Sequence, residues 1–341
     1  MTDQKNQNHD TYRALTADEV CDILEGAERL LLVRHSRPDG DAVGSTVGLA
    51  LALTRMGKTV SLLCADPTPD RLSFLDELFS PAPLDPAQPC TVVTVDVASP
   101  FQLGSIGSQL TGGLAPTLSI DHHANRTPFA DFYVRPEASS AGEIVYTLLR
   151  RLMERGQLDG ITPPIADALF ASVSSDTGCF RFGNALPATH RAAAELIEYG
   201  ARSALLNRLL FDTKSLGVLR AEGYAASHIR LYSGGRIAFF VLTRALREEL
   251  GLTEADFEGA IDTIRSLAGV EIAVTVKEND RGTWKASLRS IEPDVAVVAA
   301  SFGGGGHILA SGCALPAHDA AEAEQIVLDR IHDFHPRYRM R

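Results

Sequence analysis

The period of the apolar pattern changes several times along the chain. Residues 30–33 form a short unbroken apolar run, and Thr59–Cys64, Thr91–Val97 and Thr117–Asp121 are runs of the same kind, rich in leucine, valine and threonine. Runs this short, bounded by turn-forming residues, read as strands. Helical patterns lie between and after them, at about 42–56, 141–155 and 165–173. The alternation predicts an α/β fold, an open parallel sheet with helices on both faces. Such sheets take their ligands beyond the carboxyl ends of the strands. After Pro187 the texture changes. Residues 188–228 are helical in composition and contain no β-like run. Arg236–Thr243, Val270–Glu278 and Thr283–Ser290 are strand-like again, with helical segments at about 253–268, 294–301 and 319–333. The expected organisation is a polar tail over 1–15, a parallel-sheet domain over 16–187, a helical linker over 188–232 and a smaller mixed α/β domain over 233–341.

Length and composition sharpen this picture. A chain of 341 residues is long for one core and suits two domains; 45% apolar and 22% charged residues fit a globular protein. No apolar run approaches the ~20 residues of a membrane helix, and the N-terminus lacks a basic-then-apolar leader, so a cytoplasmic location without membrane contact is expected. The five cysteines are scattered and never spaced as CxxC, which predicts reduced thiols and no structural zinc. The net charge of −11 argues against a grip on long duplex nucleic acid, which requires a basic face. Cations and a few basic side chains can still concentrate positive charge locally for a small phosphate ligand.

The chemistry gathers at strand ends. His35, Asp39 and Asp41 follow the first strand; Asp96 closes the third; Asp121, His122 and His123 close the fourth; Asp176 stands in SSDTG after a helical stretch. In a parallel sheet the first three groups share one edge, and the fourth segment can fold back over it. Carboxylates and imidazoles without thiolate suit a borderline-hard divalent ion. So many carboxylates would repel one another unless cations neutralise them. Two cations close together can share a carboxylate, acidify a water and clamp the oxygens of an in-line displacement. Each residue has a plainer reading: Asp41 or Asp176 as a helix cap, DGD as a turn, the histidines as ordinary core or surface groups. Their common position on successive elements favours the metal site.

These residues carry a family resemblance. HSRPDGDAVGS (35–45), VDVAS (95–99), DHH (121–123) and SSDTG (174–178) are similar to the four motifs of the DHH phosphoesterase superfamily. KASLRS and DVAVVAASFGGGGHILASG (294–312) resemble its DHH-associated domain 1. RPEASSAGEIVY (135–146) and CFRFGN (179–184) resemble the bacterial oligoribonuclease and pAp phosphatase branch, the nanoRNases. The resemblance implies one metal held by His35, Asp39 and Asp96 and a second held by Asp41, Asp96, His122 and Asp176. It implies manganese first, with magnesium or cobalt as alternatives, and a catalytic set of Asp96, His122, His123 and Asp121. His123 would face the substrate phosphate and Asp121 would orient the neighbouring histidines. The chain departs from relatives in its longer polar N-terminus and in Ile308, where a basic or polar residue is common.

In the second domain Lys285, Ser287 and Arg289 alternate on one strand and so share a face. The glycine run 303–306 with His307 reads either as a flexible turn whose histidine starts the next helix, or as bare amides approaching a phosphate with His307 donating. Behind that strand, the second reading gains. The expected substrate contacts are His123, Lys285, Ser287, Arg289, Gly304, Gly305, Gly306 and His307, with Arg265 as a further candidate, and the active site is expected in the cleft between the domains. The expected activity is hydrolysis of short oligoribonucleotides to mononucleotides, with 3′-phosphoadenosine 5′-phosphate (pAp) as a second substrate. Linear or cyclic dinucleotides (pGpG, pApA, c-di-AMP) are the nearest alternative and inorganic pyrophosphate a remoter one. A nucleotide sensor without turnover is the alternative of another class. The oligomeric state, monomer or homodimer, is left open.

Overall fold

The computed structural model describes residues 12–110 and 114–339; most of the expected polar tail lies outside them. The chain divides into two compact units, the first ending at Thr213 and the second beginning at Lys214.

The first unit holds a five-stranded sheet of β1 (Arg29–Val33), β2 (Thr59–Leu63), β3 (Thr91–Val95), β4 (Leu118–Asp121) and β5 (Asp131–Val134), ordered β2-β1-β3-β4-β5. Every pairing is parallel, so every carboxyl end lies at the same edge. The alternation of β1 shows why its four apolar residues run unbroken. Leu30 and Leu32 enter the helix-covered core, while Leu31 and Val33 enter a second cluster with Leu103 and Ile106 on the opposite face. The first face carries α2 (Gly40–Arg55) and α4 (Ala141–Glu154), with α1 (Ala17–Gly26) and α5 (Pro163–Asp176) packed against them. The 3-10 segment Pro100–Ile106 covers the other. A single turn, α3 (Ser73–Asp76), follows β2.

One packing detail positions the site. Gly40, Gly44 and Gly48 form a stripe along α2, and α5 lies directly on it. A Cβ at Gly44 would stand 2.5 Å from the Ala168 carbonyl oxygen, and one at Gly48 would stand 2.6 Å from the Leu169 side chain. A Cβ at Gly40 would collide with Ser175. The glycine between the two aspartates therefore lies inside the first turn of a helix and admits the end of α5; it does not make the loose turn that DGD suggests.

The stretch expected as a linker is shared between the units. α6 (Pro187–Glu198), α7 (Ser203–Asn207) and a π turn at Arg208–Asp212 belong to the first; α8 (Leu216–Ser227) and β6 (Arg230–Tyr232) belong to the second. The second unit is a six-stranded mixed sheet. With β7 (Ile237–Leu242), β8 (Ile272–Glu278), β9 (Trp284–Ser290), β10 (Gly305–His307) and β11 (Ala310–Leu315), its order is β10-β11-β9-β8-β7-β6. Only β7 and β8 run parallel. One face buries Trp284, Ala286 and Leu288 against α11 (Ala296–Ala300) and α12 (Ala320–Phe334); on the other, α8 and α10 (Ala260–Arg265) cover β7 and β8, and α9 (Arg244–Glu249) follows β7. His307 does not begin a helix: it ends β10, the first strand of a hairpin. Among the described residues no helix is long and apolar enough to cross a membrane.

Candidate metal centre

The acidic and imidazole side chains predicted from the strand ends converge at the carboxyl edge of the first sheet. His35 Nε2 lies 3.5 Å from Asp96 Oδ2 and 3.9 Å from Asp39 Oδ1. His122 Nε2 lies 3.6 Å from Asp41 Oδ2, 3.6 Å from Asp96 Oδ1 and 3.5 Å from Asp176 Oδ2. Among the described residues three overlapping groups have donor atoms close enough for one ion: the two clusters His35–Asp39–Asp96 and Asp41–His122–Asp176, and a third, Asp96–Asp121–His122–His123, that shares Asp96 and His122 with them. Asp96 stands between the first two, one carboxylate oxygen toward each.

Local structure explains how each group is held. His35 leaves β1 with its Nδ1 2.8 Å from the Ser36 carbonyl oxygen, a bond that protonates Nδ1 and turns Nε2 toward the acids. Asp39 caps α2, its Oδ1 accepting from the amides of Asp41 and Ala42 at 3.0 Å each. The capping role considered for Asp41 or Asp176 thus falls to Asp39. Asp41 sits in the first turn of α2 and accepts from the amides of Ala141 at 2.8 Å and Gly142 at 3.1 Å, the open N-terminus of α4, and from the Ser172 hydroxyl. Asp96 takes a left-handed backbone, φ 60°, immediately after β3, a conformation Asp tolerates better than most residues. Asp121 Oδ1 accepts from the amides of His122 and His123 and from His123 Nδ1 at 2.7 Å. Asp176 is the last residue of α5, placed by the glycine stripe.

The electrostatics ask for cations. Burial, reinforced by the neighbouring acids, pushes Asp41 up to about 7, Asp96 up to about 6 and Asp176 well above the usual carboxylate range. Burial opposes the charge on His35, yet hydrogen bonding to Asp39 and Asp96 prevails and raises it to about 11. His123 is raised to about 9 in the same way, burial working against it and Asp121 prevailing. Asp96 Oδ1 is buried without a hydrogen-bond partner, the signature of a donor atom awaiting a ligand. Imidazole and carboxylate donors, a shared carboxylate and an orphaned oxygen together fit a pair of divalent ions.

The second unit groups the remaining candidates. On β9, Lys285, Ser287 and Arg289 face away from the apolar core, as the alternation predicts. Across the sheet Ser287 is opposite Gly312, itself opposite Gly305; Arg289 is opposite Ala310, itself opposite His307. Small residues in the middle strand therefore separate Arg289 from His307 and Ser287 from the Gly305 backbone. Gly304 and Gly306 are required by close backbone approach, since a Cβ at either would meet β11, whereas Gly305 faces open space. Arg265 ends α10 and pairs with Asp262 at 3.2 Å; burial, reinforced by the Arg265 charge, holds Arg289 below its ordinary value. Supporting residues that the sequence did not reveal are Ser172, the Ala141 and Gly142 amides, and Asn184, whose amide donates to the Asp176 carbonyl at 3.1 Å. Ser140, the cap of α4, was a legible signal for that helix start but not for its partner.

A pair of acid–histidine side-chain clusters at the edge of a parallel sheet, in a chain that continues into a mixed-sheet unit, defines a class. The DHH family N-terminal domain matches residues 29–173 and the DHHA1 domain matches residues 236–334, and the chain belongs to the DHH family. Nearer likenesses follow. The bifunctional oligoribonuclease and PAP phosphatase NrnA of Bacillus subtilis is 30% identical over 89% of this chain and 93% of its own length. The protein of the same name from Thermus thermophilus is 32% identical over 92% and 93%. The crystal structure of an exopolyphosphatase-related protein from Bacteroides fragilis superposes with a TM-score of 0.82 at 24% identity, covering 94% of this chain and 97% of that one.

Proposed function

We propose that this chain is a divalent-cation-dependent phosphoesterase that hydrolyses short oligoribonucleotides to mononucleotides and dephosphorylates pAp. The observation that carries the reading is the Asp96 carboxylate, with one oxygen toward each cluster. The names borne by the two NrnA relatives support the substrate class. His35, Asp39 and Asp96 would hold one ion, and Asp41, Asp96, His122 and Asp176 the other, with manganese as the first choice for mixed imidazole and carboxylate donors. When bound, such ions supply an acidified water and neutralise charge on the phosphoryl oxygens.

The remaining chemistry belongs to the chain. His123, kept toward its charged form by Asp121, donates to the phosphoryl group as negative charge develops there. Asp121 fixes the orientation of both histidines through their backbone amides and the His123 ring. Ser287, Arg289, His307 and the Gly304–Gly306 backbone bind a second phosphate or the ribose of the nucleotide, with Lys285 and Arg265 adding positive charge. On a protein of net charge −11, this cationic face selects small phosphates rather than long strands. The test is a manganese-supplemented assay of pAp, linear and cyclic dinucleotides and a five-residue RNA, compared by kcat/KM with a chelator control. Turnover of pAp and of the short RNA is expected. Tight nucleotide binding without turnover in any metal would make the chain a sensor and refute the proposal.

A further inference from the structure

Beyond the metal ligands, the loop after Asp176 carries an arginine that the mechanism above does not use. Three consecutive residues there are left-handed, Gly178 at φ 55°, Cys179 at 60° and Phe180 at 61°. Two non-glycine residues in that region cost on the order of 1–3 kcal/mol each and persist only when surroundings enforce them. The surroundings are identifiable. Phe180 is inserted between Phe170 and His190, at ring separations of 5.9 and 5.4 Å. The amides of Arg181 and Phe182 both donate to the Thr177 carbonyl at 3.0 Å. Asn184 bridges the carbonyls of Asp176 and Ser139 at 3.1 Å each, and the Phe182 ring lies against Gly178. The loop is thus fastened to the backbone of a metal ligand.

What it presents is Arg181. The guanidinium Nε donates to the Gly178 carbonyl at 2.6 Å and the guanidinium stands 5.8 Å from the Phe211 ring centre. The residue is exposed, and among the described residues no carboxylate pairs with it, although most arginines of this acidic chain have such a partner. Securing Nε and one ring face fixes the plane of the fork and leaves both terminal amino groups as donors. That is the arrangement in which arginine receives two phosphate oxygens.

We propose that Arg181 is a substrate-binding residue that contacts a phosphate of the nucleotide beside the Asp41–His122–Asp176 cluster. The inference rests on the proposed function. The chemistry recognised is a nucleotide phosphate, and the left-handed turn holds the fork on a loop fastened to the Asp176 backbone.

The experiment compares the full-length parent with Arg181→Ala and Arg181→Lys on pAp and on a linear dinucleotide in manganese. Arg181→Ala is expected to lose roughly ten- to hundred-fold in kcat/KM, mostly through KM, as expected for a lost charged hydrogen bond. Arg181→Lys, which keeps the charge and loses the fork, should fall between. Manganese affinity and thermal unfolding should match the parent, which a structural role for the loop would not allow. Equilibrium binding of pAp in calcium reads the same contact without turnover. A kcat/KM and a pAp affinity for Arg181→Ala within two-fold of the parent would overturn the inference, as would a loss matched by weaker manganese binding. A parent that binds pAp but hydrolyses nothing would overturn the proposed function instead, and the binding comparison would still decide Arg181.

Discussion

Replacing Gly44 by alanine tests whether the helix stripe sets the metal geometry. The added Cβ would stand 2.5 Å from the Ala168 carbonyl oxygen and 2.9 Å from the Ser172 backbone nitrogen. Ordinary contact begins at 3.4 Å, so the shortfall is 3.4 − 2.5, about 0.9 Å, against backbone that no rotamer change can move. Overpacking of this kind costs about 3 kcal/mol at the upper end, and alanine returns ~1 kcal/mol through its better helix propensity. The net loss of about 2 kcal/mol should lower the unfolding temperature of the first unit by roughly 4–8 °C. Because Asp41 and Asp176 sit on the two helices forced apart, activity should fall further than stability implies. A displacement near 1 Å at a reacting centre can cost about a hundred-fold. The assay pairs calorimetric unfolding with kcat across a manganese titration. Gly223→Ala serves as the control, since its Cβ meets nothing within 4 Å inside α8. A Gly44→Ala protein that unfolds no lower than the parent and turns over at the parental rate would refute the account of how the site is placed.

Three further outcomes follow from the same geometry. Asp96→Asn keeps a side chain tolerant of the left-handed backbone, so it should fold normally yet lose at least a thousand-fold in kcat (an order-of-magnitude expectation), since one carboxylate serves both clusters; appreciable turnover would contradict the sharing. In chelator, the raised carboxylates make the metal-free protein bind more protons folded than unfolded. Their stabilising contribution is complete below the ordinary aspartate range and is lost as pH rises through about 6 for Asp96 and about 7 for Asp41. Unfolding temperature should therefore fall between pH 5 and pH 8, and manganese should restore it at pH 8; a profile that rises over this range in chelator would count against the clustered acids. Finally, Arg289→Ala should raise KM for pAp roughly ten-fold or more while leaving manganese affinity unchanged, which a titration and a Michaelis curve would check together.

Much of this was legible because strand and ligand information coincide. Residues 30–33, Thr91–Val97 and Thr117–Asp121 end at or beside the acidic and imidazole residues that cluster, so recognising the strands located the candidate site. β5 escaped because Asp131–Val134 is a four-residue edge strand with a polar start and only one buried residue. The β10–β11 hairpin escaped because Gly305–His307 has no apolar pattern at all and its turn is Ile308–Leu309, not the Asn-Gly or Asp-Gly pair that marks such turns. The pattern of Gly40, Gly44 and Gly48 was visible as letters, but its meaning depended on α5, more than a hundred residues later, lying across it. In the same way nothing local to Asp41 announced that the first amides of α4 would receive it.

The side chains of the two clusters are drawn from widely separated stretches of the chain, and the last of them, Asp176, arrives only with the end of α5. During synthesis a growing polypeptide acquires the His35–Asp39–Asp96 set well before the other can be completed. On the proposed reading, two ions could be held together only once nearly the whole first unit has been made. A shorter N-terminal fragment ending before Asp176 would hold the His35–Asp39–Asp96 set alone and, on the proposed reading, would lack phosphoesterase activity.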